Sequence, residues 1–268
     1  MSPRGEALSI NMNRLLHKGK ALFLAYDQGM EHGPRDFDKK NVDPEHVLNI
    51  ALEGGYTGII LLPGVAEKYY HGAIRDIPLI VKLNGKTSLA KIDPISRQFC
   101  SVERAIKMGA SAVGYTIYDG SPNEPEMFKE FGKIVEEAHD YGIPVIAWMY
   151  PRGRFIKDDE SNEILAYSAR VGLELGADVL KLKFNGDIDN FKWMLRCAGR
   201  AKVVVAGGNK TDPKQFLNDV SKVVSAGAMG IAVGRNVWQS DRPFSISKAL
   251  RSVVIDGKSA LEASKFLH

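Results

Sequence analysis

The chain has 268 residues, 44% of them apolar or aromatic and 25% charged, with 26 Gly, 12 Pro, two Cys and a formal net charge of +4. A disordered or collagen-like chain would carry far fewer large apolar residues or a regular glycine period, and a disulfide-stapled secreted domain far more cysteine. The 36 Lys and Arg stand against 32 Asp and Glu and are spread along the chain; with no basic block, nucleic acid is not indicated as a partner, whereas a few cations focused in one cleft would suit a small anion.

The longest apolar stretches, ALFLAY and GIILLP, fall far short of the roughly 18 to 20 residues needed to cross a bilayer. The first residues, MSPRGEALSINMNRLLHKGK, place charges where a secretory signal needs an unbroken apolar segment. The expectation is a cytoplasmic protein with no membrane partner. Cys100 and Cys197 lack a CxxC spacing and read as reduced, packed thiols.

In chain order, residues 1–18 read as an N-terminal extension or helix. Eight apolar runs follow: ALFLAY (21–26), GIILL (58–62), PLIVKL (78–83), AVGYTIY (112–118), PVIAWMY (144–150), DVLKLKF (178–184), KVVVAGG (202–208) and GIAVG (230–234). Each is continuously apolar, the pattern of a parallel strand buried on both faces. Segments of helical period lie between them, such as EPEMFKEFGKIVEEAHDYG and EILAYSARVGLELGAD. Four strands are entered through similar phrases, GGYTGII, GASAVGY, GADVLKL and GAMGIAV, in which a glycine is expected to end the helix in a left-handed conformation. Eight strands alternating with helices and no linker tract predict one (β/α)8 TIM barrel as a single domain over residues 1–268. The competing open doubly wound sheet would show GxGxxG after its first strand, where this chain has DQGMEHGP.

Active sites of such barrels sit at the C-terminal ends of the strands, so polar residues there are the candidates. The first strand ends in Asp27, followed by Gln28, Glu31 and His32. An ordinary turn would also use an Asp, and no second histidine stands at a metal-ligand spacing, so no metal is expected. After the fifth strand come Tyr150 and Arg152; alternation puts Tyr150 on the same side as Trp148. The sixth strand carries Lys181 and Lys183 on one face. Two close cations in a dry site depress each other's pKa, and a lysine neutral near pH 7 can attack a carbonyl to form a Schiff base. The alternative is a buried ion pair with Asp27 or Asp187. The seventh and eighth strands run into Ala206-Gly207-Gly208-Asn209-Lys210 and Gly234-Arg235-Asn236. Loops in these two positions frequently hold phosphate, with glycines exposing backbone N–H groups and an arginine forking onto the anion. Together these residues suggest imine chemistry on a phosphorylated ketone or aldehyde.

The phrases LAYDQGMEHGP, VAEKYY, KLNGKT, GASAVGYTIY, AWMYPRG, LGADVLKLKF, AGGNKT and GIAVGRNVWQ, which span all eight strands, resemble the archaeal-type class I fructose-1,6-bisphosphate aldolases. The resemblance implies metal-independent, reversible cleavage of fructose 1,6-bisphosphate in glycolysis and gluconeogenesis, with no cofactor beyond a covalent imine on Lys181. It implies Tyr150 as proton donor and acceptor, Trp148 lining the pocket, Asp27 positioning the lysine, and Gly207, Gly208, Gly234 and Arg235 as phosphate cradle. It implies further substrate contacts from His32, Asp36, Arg152 and Lys183. It also implies a large homo-oligomer, an octamer or decamer. Two positions depart from the family: Gln28 stands where DHG is common, and Ala206 where a Ser often precedes the paired glycines. Gln28 can hydrogen-bond but not titrate near neutrality, and Ala206 lacks one hydroxyl contact. The alternatives are a 2-amino-3,7-dideoxy-D-threo-hept-6-ulosonate synthase, another sugar-phosphate aldolase or transaldolase of the same family, and a catalytically silent sugar-phosphate binder.

Overall fold

In the computed structural model, which describes residues 3–267, the eight apolar runs form eight strands: β1 (Ala21–Tyr26), β2 (Gly58–Leu61), β3 (Leu79–Lys82), β4 (Ala110–Ile117), β5 (Val145–Met149), β6 (Val179–Leu182), β7 (Lys202–Ala206) and β8 (Gly230–Val233). Each pairs in parallel with its neighbours and β8 closes on β1, giving the expected (β/α)8 barrel. Residues 1, 2 and 268, which belong to the expected 1–18 segment and 1–268 domain, lie outside the described residues. A two-stranded hairpin, Asn84–Gly85 with Arg97–Gln98, is added after β3.

The period-2 alternation of each strand divides the apolar side chains between two cores. Phe23, Ile60, Ile80, Ala112, Ile146, Val179 and Val204 fill the barrel interior. Leu22, Leu24, Ile59, Leu61, Val81 and Leu180 face the surrounding helices. The helix Glu124–Asp140 shows the matching pattern, burying Met127, Phe131, Ile134 and Ala138 at helical spacing. The four similar phrases each turn through a glycine at positive φ: Gly55 (64°), Gly109 (94°), Gly176 (89°) and Gly227 (119°).

The expected N-terminal helix runs over Pro3–Arg14. It stops the bottom of the barrel: Leu15 is fully buried in the interior cluster, with Met12 and Leu16 against it. Asn11 Nδ2 donates to the Gly142 carbonyl at 2.8 Å, tying this plug to the chain entering β5. Among the described residues no helix is long and apolar enough to cross a membrane.

At the opposite end the interior positions change character. Ala25, Ala206 and Ala232 replace the bulky residues of the lower layers and line an open cavity together with Lys82, Trp148 and Lys181. Trp148 is 1% exposed and its ring crosses β4 at Gly114, where a Cβ would collide with the ring. Gly114 is paired with Lys82 on one side and Ile146 on the other, so it cannot move aside without disturbing both pairings. Gly114→Ala should therefore destabilise the protein by roughly 1–3 kcal/mol through overpacking, measured by urea denaturation, and should lower activity because Trp148 forms the cavity floor. Unchanged stability would contradict this packing.

Candidate active site

The cavity at the C-terminal mouth has a volume of about 350 Å³. All the site residues read from the sequence line it except Asp36. Their positions follow from the strands: Asp27 continues β1, Trp148 faces the interior from β5 with Tyr150 just past the strand's end, and Lys181 is paired in register with Trp148 on one side and Val204 on the other.

Lys181 is 5% exposed, with its Nζ 5.1 Å from the centroid of the Trp148 ring. Burial pushes the ammonium down to about 8; the Asp27 carboxylate opposes this, while the charges of Lys82 and Arg235 act with burial. Burial alone would raise Asp27, but Lys82 and Lys181 outweigh it and hold the carboxyl below its usual range. The Asp27 Oδ2 lies 3.2 Å from Lys82 Nζ. The Tyr150 phenol is pushed well above its ordinary value by burial, then by Asp27 and Glu31, against Arg152 and Arg235. It is therefore protonated at neutral pH.

On the β7–β8 side, Asn236 Nδ2 donates to the Gly207 and Asn209 carbonyls at 2.6 and 2.8 Å, and its Oδ1 accepts from Thr211 N at 2.9 Å. Arg235 donates to the Gly208 carbonyl at 3.2 Å. These bonds fix the Gly207–Gly208 turn with both glycines on the cavity wall. On the opposite side, Arg152 donates to Glu31 Oε1 at 3.0 Å, and Lys86 Nζ lies 3.4 Å from the same oxygen. Tyr118 donates to the same carboxylate, 3.3 Å from Oε1 and 3.2 Å from Oε2. The Gln28 Nε2 and Trp148 Nε1 donors on the cavity wall are buried with no hydrogen-bond partner among the described residues.

Two expectations need correcting. The strand β6 ends at Leu182, so Lys183 lies beyond it, 2.5 Å from Asp159 Oδ2, and keeps its place at the rim. The cations acting on Lys181 are Lys82 and Arg235 instead. Asp36, expected as a substrate contact, is not among the residues that line the cavity; its Oδ2 lies 2.5 Å from His32 Nδ1 and 3.8 Å from an Arg235 nitrogen, so it braces two lining residues. The alternative partner for the lysines, Asp187, caps the helix Ile188–Cys197 by accepting from Asp189 N and Asn190 N. Lys82 and Tyr118 were given no role in the site from sequence, Glu31 was weighed only for metal, and Asn236 was read only as part of the loop after β8. Lys82 carried the same signal as Lys181, a lone ammonium at the end of an apolar strand.

A profile of DeoC/LacD family aldolases matches residues 21–240. The chain belongs to this aldolase family. The fructose-bisphosphate aldolase class 1 of Thermoproteus tenax is 47% identical to it over 248 residues, 91% of this chain and 93% of that protein. The Methanocaldococcus jannaschii fructose-bisphosphate aldolase/6-deoxy-5-ketofructose 1-phosphate synthase is 36% identical over 268 residues, 93% of this chain and 86% of that one. An archaeal fructose-1,6-bisphosphate aldolase, solved with its catalytic lysine bound to the carbinolamine intermediate, superposes with a TM-score of 0.89 at 44% identity, covering 92% of this chain and 99% of that one. In this aldolase the cavity holds a buried lysine, a phenol and a glycine turn, the parts that imine chemistry on an anionic carbonyl compound requires. Among the described residues no three His, Cys, Asp or Glu side chains group as a metal site.

Imine formation consumes the neutral amine. Reductive trapping with a small phosphorylated ketone should therefore fall about tenfold per pH unit below the Lys181 value of about 8 and level off above it. A trapping rate independent of pH across that value would contradict the assignment.

Proposed function

We propose that this aldolase cleaves fructose 1,6-bisphosphate reversibly into dihydroxyacetone phosphate and glyceraldehyde 3-phosphate through an imine on Lys181, without metal, in glycolysis and gluconeogenesis. The observation that carries the reading is Lys181 itself, a dry amine whose pKa is brought down to about 8 inside a cavity walled by Gly207, Gly208 and Arg235. The cavity is lined by five Lys and Arg side chains, Lys82, Arg152, Lys181, Lys183 and Arg235, against three carboxylates, which suits a doubly phosphorylated sugar. The unpartnered Gln28 and Trp148 donors suit its hydroxyl oxygens.

The neutral Lys181 amine adds to the C2 ketone and its proton passes to the new oxygen. Tyr150 donates its proton to the departing hydroxyl, which leaves as water, and the resulting iminium stands beside a phenolate. That cation is the one new charge in the cycle that favours ionisation of a phenol otherwise held protonated. The phenolate takes the C4 hydroxyl proton as the C3–C4 bond breaks, and its electrons pass through C3 into the iminium to give an enamine. Tyr150 then protonates C3, and water hydrolyses the remaining imine. The cradle fixes the ketone over the amine, so binding is converted into orientation. Ala206 leaves the cradle to backbone N–H groups and Arg235, and Gln28 contributes a hydrogen bond without titrating. The proposal places the enzyme in the cytoplasm as a homo-oligomer, an octamer or decamer.

Borohydride added with dihydroxyacetone phosphate should leave an adduct that mass spectrometry locates on Lys181, and cleavage should be unaffected by a chelator. An adduct elsewhere, or loss of activity with the chelator, would overturn the mechanism. Tyr150→Phe should slow turnover by a factor on the order of 10²–10⁴ while trapping stays detectable; full activity would remove Tyr150 from its role.

A further inference from the structure

Lys82 is the second ammonium in the mouth, on β3, and it is 6% exposed. A buried charge of this kind is costly unless it is paired. Its partner is Asp27, and the two side chains are almost equally shielded from water, 8% and 7% exposed. Asp27 forms its ion pair with Lys82 and not with Lys181, although its field reaches Lys181. The distinction matters for chemistry. A carboxylate paired with the nucleophile would hold it as an ammonium with no lone pair, whereas a carboxylate already paired elsewhere can orient the amine and accept a hydrogen bond from the carbinolamine.

We propose that Lys82 is a positioning residue: clamped on Asp27, it fixes that carboxylate in the mouth and shares its charge, leaving the Lys181 amine free to attack the carbonyl. The surroundings of Lys181 support this assignment. The β1 end contributes Asp27, β3 contributes Lys82, the β5 end contributes Tyr150, and the β8 end contributes Arg235; at β7 the wall is Ala206. On its own strand end, Lys183 is engaged with Asp159 and Glu160. The field of Lys82 also reaches Glu31, which is held by Lys86 and Arg152 and so is no substitute partner for Lys181. Removing the Lys82 charge therefore leaves Asp27 with Lys181 as its neighbouring cation. Both consequences, a less neutralised carboxylate and one cation fewer, favour the protonated amine.

The inference rests on the aldolase reading, and the experiment separates the two. The pH dependence of reductive trapping by dihydroxyacetone phosphate and of kcat/KM for fructose 1,6-bisphosphate is measured for wild type, Lys82→Met, Lys82→Arg and the double variant Lys82→Met with Asp27→Asn. Lys82→Met should move the acid limb up by about one pH unit or more and slow trapping near neutrality by about tenfold, with recovery at higher pH. Lys82→Arg, which keeps the charge, should leave the limb at its wild-type position. The double variant, which leaves no unpaired charge, should bring it back to or below that position. If Lys82→Met fails to fold, the other two variants still decide. A Lys82→Met limb at the wild-type position with rates lowered equally at every pH would overturn the role, as would a displaced limb in Lys82→Arg or an upward-shifted one in the double variant. Wild-type protein that traps no ketone would instead end the aldolase reading.

Discussion

The removal of one amine from water governs this site. Lys181 stands at the end of a strand whose two faces are dry, with an indole beneath it and a carboxylate, a second lysine and an arginine around it. Both lysines and the indole are positioned by backbone pairing of the barrel, Lys82 opposite Gly114 and Lys181 between Trp148 and Val204, while Asp27 follows the end of β1 and Arg235 opens the helix after β8. Desolvation is the largest drive towards the neutral amine, and the carboxylate that opposes it, Asp27, is paired with Lys82. Such a buried pair is weak evidence for stability, because desolving two charges offsets much of their attraction. Its value here lies in where it holds the charge.

The same barrel end separates two anion-facing walls. On one side Asn236 ties the Gly207–Gly208 turn and Arg235 leans on it, with Asp36 behind both Arg235 and His32. On the other, Glu31 holds Arg152 and Lys86 together over the face of Tyr118. Lysine and phenol lie between the walls. In the proposed function this division gives a bisphosphate two ends to be held by, with its centre over the reacting groups, the positional advantage that a single cationic patch would lack. The small residues Ala25, Ala206 and Ala232 are as necessary as the charged ones, since a bulky interior layer at this height would close the cavity.

The fold was legible because parallel strands buried on both faces leave uninterrupted apolar runs, and because the turns into β2, β4, β6 and β8 need a residue at positive φ and show it as glycine. The site was legible where a residue's chemistry conflicts with its strand: an ammonium in DVLKLKF, a phenol after a tryptophan, a glycine pair followed on the next strand by Gly-Arg. Lys82 carried that conflict too, but strand alternation within β6 pointed to Lys183 as the companion of Lys181, a local inference that failed because the strand ends one residue earlier. Which strand supplies the second cation depends on barrel closure, which brings β3 across the mouth from β6. The contact of Glu31 with Tyr118 was hidden for the same reason: the two meet across the mouth from separate loops.

The resting Lys181 side chain loses its proton far more readily than an ordinary lysine. Protein carrying ¹³C only at lysine Cε, with the Lys181 resonance assigned by its loss in Lys181→Met, allows the titration of that one amine to be followed by NMR without substrate. The expected midpoint is about 8. A midpoint near the free-lysine value of about 10.4 would contradict it.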